Sequence, residues 1–243
     1  MKLTILGCGD AFGSEGRFNT SFLLEHEDKK TLVDCGASTL IRLKQLKVAV
    51  AEIDTIIITH FHGDHYGGLP FLMLSNHIEY QRQTPLTIIG PEGIREKAYN
   101  LQEALYPGTS NVIDALNVNY LEYHESEWLK HEYLEVYARK VTHAPPSNPH
   151  GLKIRFEEKV FAFSGDTEWN DSLIDLAAEA DVFVVECNNY MQDSPGHFSY
   201  KTIKDKLPDL KAKKIYLTHM GSEVIAQPSL ELERLSDGME VVF

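Results

Sequence analysis

Eight consecutive residues, Ile58-Thr59-His60-Phe61-His62-Gly63-Asp64-His65, constrain this chain more than any other stretch, placing three imidazoles and a carboxylate within six positions. They follow an apolar run, Thr55-Ile56-Ile57-Ile58, that reads as a strand. His60 and His62 are two apart, so an extended segment points both to one side. Gly63 lets the backbone turn, and Asp64 is placed to cap a following helix, so Asp64 and His65 arrive from a second direction. Two pairs of nitrogen and oxygen donors approaching one spot suit two adjacent borderline metal ions. Surface histidines with no shared task would need neither the preceding strand nor the Gly-Asp turn.

The rest of the chain alternates short apolar runs with amphipathic ones. Strands are expected at 3–6, 20–24, 31–33, 55–59, 86–89, 118–122, 134–142, 152–156, 160–164, 182–186 and 214–218, and helices at 38–46, 67–76, 93–105, 171–179, 199–207 and 229–235. Many strands with helices in both halves point to two sheets packed face to face and covered outside by helices. Five runs end in a metal-competent or acid/base side chain: His60, His143, Asp166, Glu186 and His219. In layered folds, sites gather where loops follow the strands along one sheet edge.

No linker or low-complexity tract divides the 243 residues, so one α/β domain over 1–243 is expected. No apolar stretch approaches the roughly 20 residues that cross a bilayer, and no membrane partner is expected. The opening Met1-Lys2-Leu3-Thr4-Ile5-Leu6-Gly7 is too short an apolar run for a signal peptide and reads as a first strand. Cys8, Cys35 and Cys187 are odd in number and lack CxxC spacing, which fits a reducing cytoplasm. With 23 basic against 36 acidic residues the net charge is −13, unsuited to gripping a long nucleic acid and better matched to a small substrate.

The chain resembles the metallo-β-lactamase-fold hydrolases, in particular the subgroup of tRNase Z and small phosphodiesterases. The matching pieces are Leu6-Gly7-Cys8-Gly9, Asn19-Thr20-Ser21-Phe22-Leu23-Leu24, Val33-Asp34-Cys35-Gly36, the histidine motif and Gly67-Gly68-Leu69-Pro70. They continue through Thr142-His143 with Gly151, Ser164-Gly165-Asp166-Thr167, Asp181 to Glu186, His197-Phe198-Ser199 and Leu217-Thr218-His219. The resemblance implies an α/β (α+β) fold, a four-layer αββα sandwich with metals at the open edge between the sheets.

It also implies a ligand set. His60, His62 and His143 would hold one metal, Asp64, His65 and His219 the other, and Asp166 would bridge them. A hydroxide between two such cations is a usable nucleophile at neutral pH. Zinc is the default ion for histidine and carboxylate donors, with manganese and iron left open. Asp64, His197 and Glu186 are the candidate catalytic residues. In tRNase Z relatives a histidine following the glutamate-bearing strand helps the leaving oxygen depart, and a carboxylate on that imidazole would make it a proton donor. The bland alternative is that His197 caps the helix starting near Ser199.

One departure matters. tRNase Z enzymes carry a long basic, glycine-rich arm between the third histidine and the bridging aspartate, whereas here that interval is a proline-rich loop and a probable hairpin. The expected activity is therefore hydrolysis of a phosphodiester in a small molecule or short oligonucleotide. A carboxyl-ester or lactone hydrolase is the alternative, and tRNA 3′ processing a second. A redox diiron centre is disfavoured, since such relatives favour a glutamate at His62 and need a flavin domain. A metal-free scaffold would be expected to have lost ligands. Relatives are often homodimers, though no exposed stripe in the sequence demonstrates one.

His26, His77, His124 and His131 read as solvated, His150 as a turn residue near the site, and Cys187 as core. Gly7 to Gly13 reads as a tight loop, since it lacks a full dinucleotide fingerprint. The aromatic-rich segment 103–128 could be either a lid or an ordinary connection.

Overall fold

Successive isoleucines at 56, 57 and 58 face opposite ways, as a period of two requires: Ile57 joins one apolar cluster, and Ile56 and Ile58 another. Phe22 and Leu24 likewise separate from Leu23, and Val33 from Leu32. A sheet apolar on both faces must be covered on both. The computed structural model, which describes residues 1–243, shows what covers it.

The first six strands are β1 (Lys2–Gly7), β2 (Ser21–His26), β3 (Lys29–Val33), β4 (Thr55–Ile57), β5 (Leu86–Gly90) and β6 (Val118–Glu122). They are followed by β7 (Trp128–His131), β8 (Leu134–Lys140), β9 (His150–Phe156), β10 (Lys159–Phe163), β11 (Val182–Glu186), β12 (Lys214–Thr218), β13 (Glu233–Arg234) and β14 (Glu240–Val242). Two seven-stranded mixed sheets result, ordered β14-β1-β2-β3-β4-β5-β6 and β13-β12-β11-β10-β9-β8-β7. Their inner faces share the larger cluster, where Phe22 meets Phe161 and Phe163 edge-on with ring centroids 5.8 and 5.1 Å apart. Such aromatic contacts contribute about 0.5–1.5 kcal/mol beyond area burial.

The helices are α1 (Thr39–Gln45), α2 (Gly63–Tyr66), α3 (Leu69–Leu74), α4 (Ile94–Leu105), α5 (Asn111–Ala115), α6 (Ser172–Ala177), α7 (Tyr200–Lys206) and α8 (Ser222–Ile225). Leu43, Leu69, Leu72, Met73, Ile94, Ala98 and Ile113 carry α1, α3, α4 and α5 onto the outer face of the first sheet. Leu173, Leu176 and Ile203 carry α6 and α7 onto the second. This is the αββα sandwich the sequence implied.

Three expectations need correction. Residues 229–235 form no helix: Glu233 and Arg234 pair in parallel with Tyr216 and Leu217, and the Leu235 amide donates to the Leu217 carbonyl. A neighbouring strand's edge outweighs the local helical pattern there. Strand β4 stops at Ile57 rather than Thr59, and the Thr59 amide donates to the Asp34 carboxylate instead of to a neighbouring strand. Asp64 does not cap α2; His62 occupies the N-cap position, and Asp64 lies inside the first turn. No helix is long and apolar enough to cross a membrane.

The sheets place the site. Strands β10, β11 and β12 run parallel, and β8 runs parallel to β10 because both are antiparallel to β9. Residues just past their C-terminal ends therefore meet at one edge.

Candidate active site

His60, His62, Asp64, His65, His143, Asp166 and His219 converge at that edge. Ring nitrogens of His60, His62 and His143 lie within 4.8 Å of one another, as do the donor atoms of Asp64, His65, Asp166 and His219. Asp166 Oδ2 lies between the two groups, 3.3 Å from His65 Nε2, 3.2 Å from His219 Nε2, and 3.9 Å from Nε2 of both His60 and His143.

Hydrogen bonds fix which nitrogen faces inward. His65 Nδ1–H donates to Asp34 across 2.6 Å, and His143 Nδ1–H donates to the Gly196 carbonyl across 2.9 Å. His65 Nε2 then faces Asp64 and Asp166 at 3.2 and 3.3 Å, an acceptor against acceptors whenever that nitrogen carries no proton. Acceptor facing acceptor is repulsive unless a cation or a proton lies between. Buried His60 Nε2, His65 Nε2, Asp166 Oδ1 and His219 Nδ1 have no hydrogen-bond partner, which natural structures rarely tolerate. His143 Nε2 stands 3.0 Å from His62 Nδ1. This donor set fits divalent cations.

The electrostatics agree. Burial holds His60 well below the usual imidazole range, with the charge on His65 adding to the effect, and burial also lowers His62 and His143. Neutral imidazole is the form that ligates. Burial opposes ionisation of Asp166, but His219 and His65 outweigh it and hold the carboxylate charged. Burial likewise opposes ionisation of Asp64, and His65 and a hydrogen bond from His219 reverse that. For His219, burial favours the neutral ring, yet Asp166 and Asp64 push it up to about 9.

Beside these donors stands a second pair. His197 Nδ1 is 2.9 Å from Glu186 Oε1, and Glu186 is fully buried. The His197 ring stacks on His219 at 5.4 Å and meets the His143 edge at 4.8 Å. Burial lowers the His197 pKa, but the hydrogen bond and charge of Glu186 raise it further. The helix-cap alternative falls, because the Ser199 side chain accepts from Thr202 N at the start of α7, and Asp193 takes the Ser199 amide.

Sequence reasoning missed three supports. Asp34 accepts from the Thr59 amide and hydroxyl as well as from His65. The Tyr123 hydroxyl donates to the Ile58 and Thr59 carbonyls beneath the motif. Glu168 holds the Gly196 amide. The signal for Asp34 was a charged residue closing an apolar run; Glu168 left none. His150 is buried against Tyr123 with rings 5.2 Å apart, which places it in the interior. In segment 103–128, Tyr106 packs on Phe71 and Tyr120 lies near Tyr99, while Tyr123 is buried beneath the histidine motif.

A family model described as "Anti-Pycsar protein Apyc1" matches residues 1–232. Ribonuclease Z of Clostridium acetobutylicum is 31% identical over 164 residues, covering 65% of this chain and 52% of that protein. The chain thus matches about half the length of this curated relative. Among solved structures, the short form of human tRNase Z superposes with a TM-score of 0.78 at 23% identity, covering 100% of this chain and 99% of that one. Zn(2+)-bound PqqB from Methylobacterium extorquens gives 0.81 at 14% identity, covering 100% of both. The αββα sandwich, the histidine–aspartate edge and a family match running almost end to end agree: the chain belongs to the Anti-Pycsar protein Apyc1 family, with ribonuclease Z-like relatives on the metallo-β-lactamase fold.

Proposed function

We propose that this chain is a metal-dependent phosphodiesterase that uses two divalent cations and acts on a small molecule or short oligonucleotide. The observation that carries the reading is His197, hydrogen-bonded to buried Glu186 and stacked beside His143 and His219. His60, His62 and His143 would hold one cation, Asp64, His65 and His219 the other, with Asp166 shared. When bound, such cations supply an activated water and a Lewis acid for the phosphoryl oxygen. Glu186 fixes the His197 tautomer, with Nδ1–H on the carboxylate, and favours the charged ring. His197 then gives the Nε2 proton to the departing alkoxide and recovers it from solvent.

Zinc is the ion we favour; the zinc in PqqB and the donor types support it. The name ribonuclease Z carried by a relative supports a phosphodiester as the scissile bond. For tRNA itself the support is weaker: residues between His143 and Asp166 form one short turn and the β9–β10 hairpin, and the net charge is −13. A cytoplasmic setting completes the proposal, supported by three cysteines that are all free.

The test is metal analysis of purified protein paired with turnover of bis(p-nitrophenyl) phosphate against carboxylic esters and lactones. Two cations per chain and preferential phosphodiester cleavage are expected. Faster lactone or ester turnover would overturn the reading in favour of the ester-hydrolase alternative. At about 0.15 M salt, small dinucleotide or cyclic-nucleotide substrates should outpace precursor tRNA; specific, steeply salt-dependent cleavage at the tRNA 3′ end would restore the tRNase reading.

A further inference from the structure

Between β11 and α7 the chain makes a loop that carries His197, and its backbone stands hard against His143. Gly196 has φ of +82°, and a Cβ there would come within 2.6 Å of His143 Nδ1. The Gly196 carbonyl takes the His143 Nδ1–H at 2.9 Å, while its amide donates to Glu168 Oε1 at 2.9 Å. One peptide unit on each side of Gly196 thus faces a different partner, and the next residue is His197.

Glu168 is itself anchored where the site is built. Its amide donates to the Thr142 carbonyl at 2.7 Å, one residue before His143, and it lies two residues past Asp166. The loop's other restraints sit elsewhere: Ser194 and His197 exchange backbone hydrogen bonds at 2.9 Å, the Phe198 amide donates to the Thr167 carbonyl at 3.2 Å, and Asp193 accepts from the Ser199 amide. The Glu168 carboxylate is the side chain that pins Gly196 toward His143.

We propose that Glu168 is a positioning residue that sets two things through Gly196: the orientation of the His143 ring and the reach of His197. It touches neither substrate nor the donor atoms. By holding the Gly196 amide it fixes the Gly196 carbonyl, hence the His143 tautomer that turns Nε2 inward, and it fixes the start of the His197 side chain. Outer partners of this kind tune ligand affinity, and a displacement of about 1 Å in a proton donor costs about a hundredfold in rate. For the His197 half the inference rests on the phosphodiesterase reading; for the His143 half it does not.

The test compares Glu168→Ala with Glu168→Gln, whose amide oxygen still accepts from Gly196. Zinc affinity by chelator competition, Gly196 amide hydrogen exchange, and the turnover ratio between an alkyl and a p-nitrophenyl phosphodiester are read together. The alanine variant, folded by circular dichroism, should bind zinc about tenfold or more weakly and exchange the Gly196 amide faster. It should lose more rate on the alkyl substrate than on the p-nitrophenyl one. The glutamine variant should restore most of all three. An alanine variant with wild-type zinc affinity and amide protection, or a rate loss equal across leaving groups, would overturn the proposal. If the wild type cleaves no phosphodiester, the functional reading fails, and affinity and exchange alone decide the role of Glu168.

Discussion

Asp34 and His65 are 31 positions apart in sequence, and their side chains meet at 2.6 Å with both fully buried. Asp34 closes β3 in a left-handed conformation, φ +59°, which turns its carboxylate under the histidine motif. The same carboxylate takes the Thr59 amide at 2.8 Å, so one side chain fixes both the loop before His60 and the ring of His65. Burial raises its pKa, while His65 and Thr59 pull it back down.

Removing that support should loosen the cation site. Asp34→Ala is expected to lower zinc affinity by roughly tenfold to a hundredfold, the usual effect of deleting a carboxylate behind a ligating histidine. Asp34→Asn, which keeps an acceptor but not the charge, should fall between. Chelator competition measures both; wild-type affinity in Asp34→Ala would show that the His65 ring is held by packing alone.

Asp166 lies within 3.9 Å of ring nitrogens from both histidine groups. If it serves two cations, Asp166→Ala should lose occupancy at both positions, read by elemental analysis after dialysis. Retention of two tightly bound metals would refute the bridging role.

His197→Ala should leave metal content unchanged and lower phosphodiester turnover by roughly a hundredfold or more. The loss should shrink for p-nitrophenolate, which needs little protonation on departure. A uniform loss across leaving groups would mean that His197 positions substrate and donates no proton.

A fourth expectation concerns stability away from the site. Asp181 accepts the Val160 amide at 2.8 Å and pairs with Lys213 at 2.7 Å. Burial opposes its ionisation, but these partners outweigh that and hold the carboxyl below the usual aspartate range. A depressed folded pKa stabilises the fold at pH above the unfolded value, and that contribution disappears as pH falls through the folded value. Asp181→Ala should therefore cost about 1–2 kcal/mol at pH 7, mostly from the uncapped amide, since the Lys213 end is exposed to solvent. The gap in urea midpoint between wild type and variant should narrow in acid. A gap that widened in acid would reverse the assigned sign.

The histidine motif, and the strand-end spacing of His143, Asp166, Glu186 and His219, were legible because a strand's alternation and its exit loop are local properties of a few residues. The same locality made the layers readable: short apolar runs alternating with amphipathic ones mark strands and helices before any partner is known. Locality also explains the misreading at 229–235. A two-residue strand there exists only because the edge of β12 supplies its hydrogen bonds, and no short window records that edge. Strands β7 and β14 went unread for a similar reason, being only four and three residues long.

What the sequence by itself determined is which side chains are available for chemistry and the order in which strands deliver them. What only the tertiary structure decided is how those side chains are held: Asp34 behind His65, Gly196 behind His143, Glu168 behind Gly196. Each of those contacts joins residues 28 to 53 positions apart. A hydrogen bond closed over such a distance depends on the whole fold's geometry, which leaves no periodicity in the chain to read.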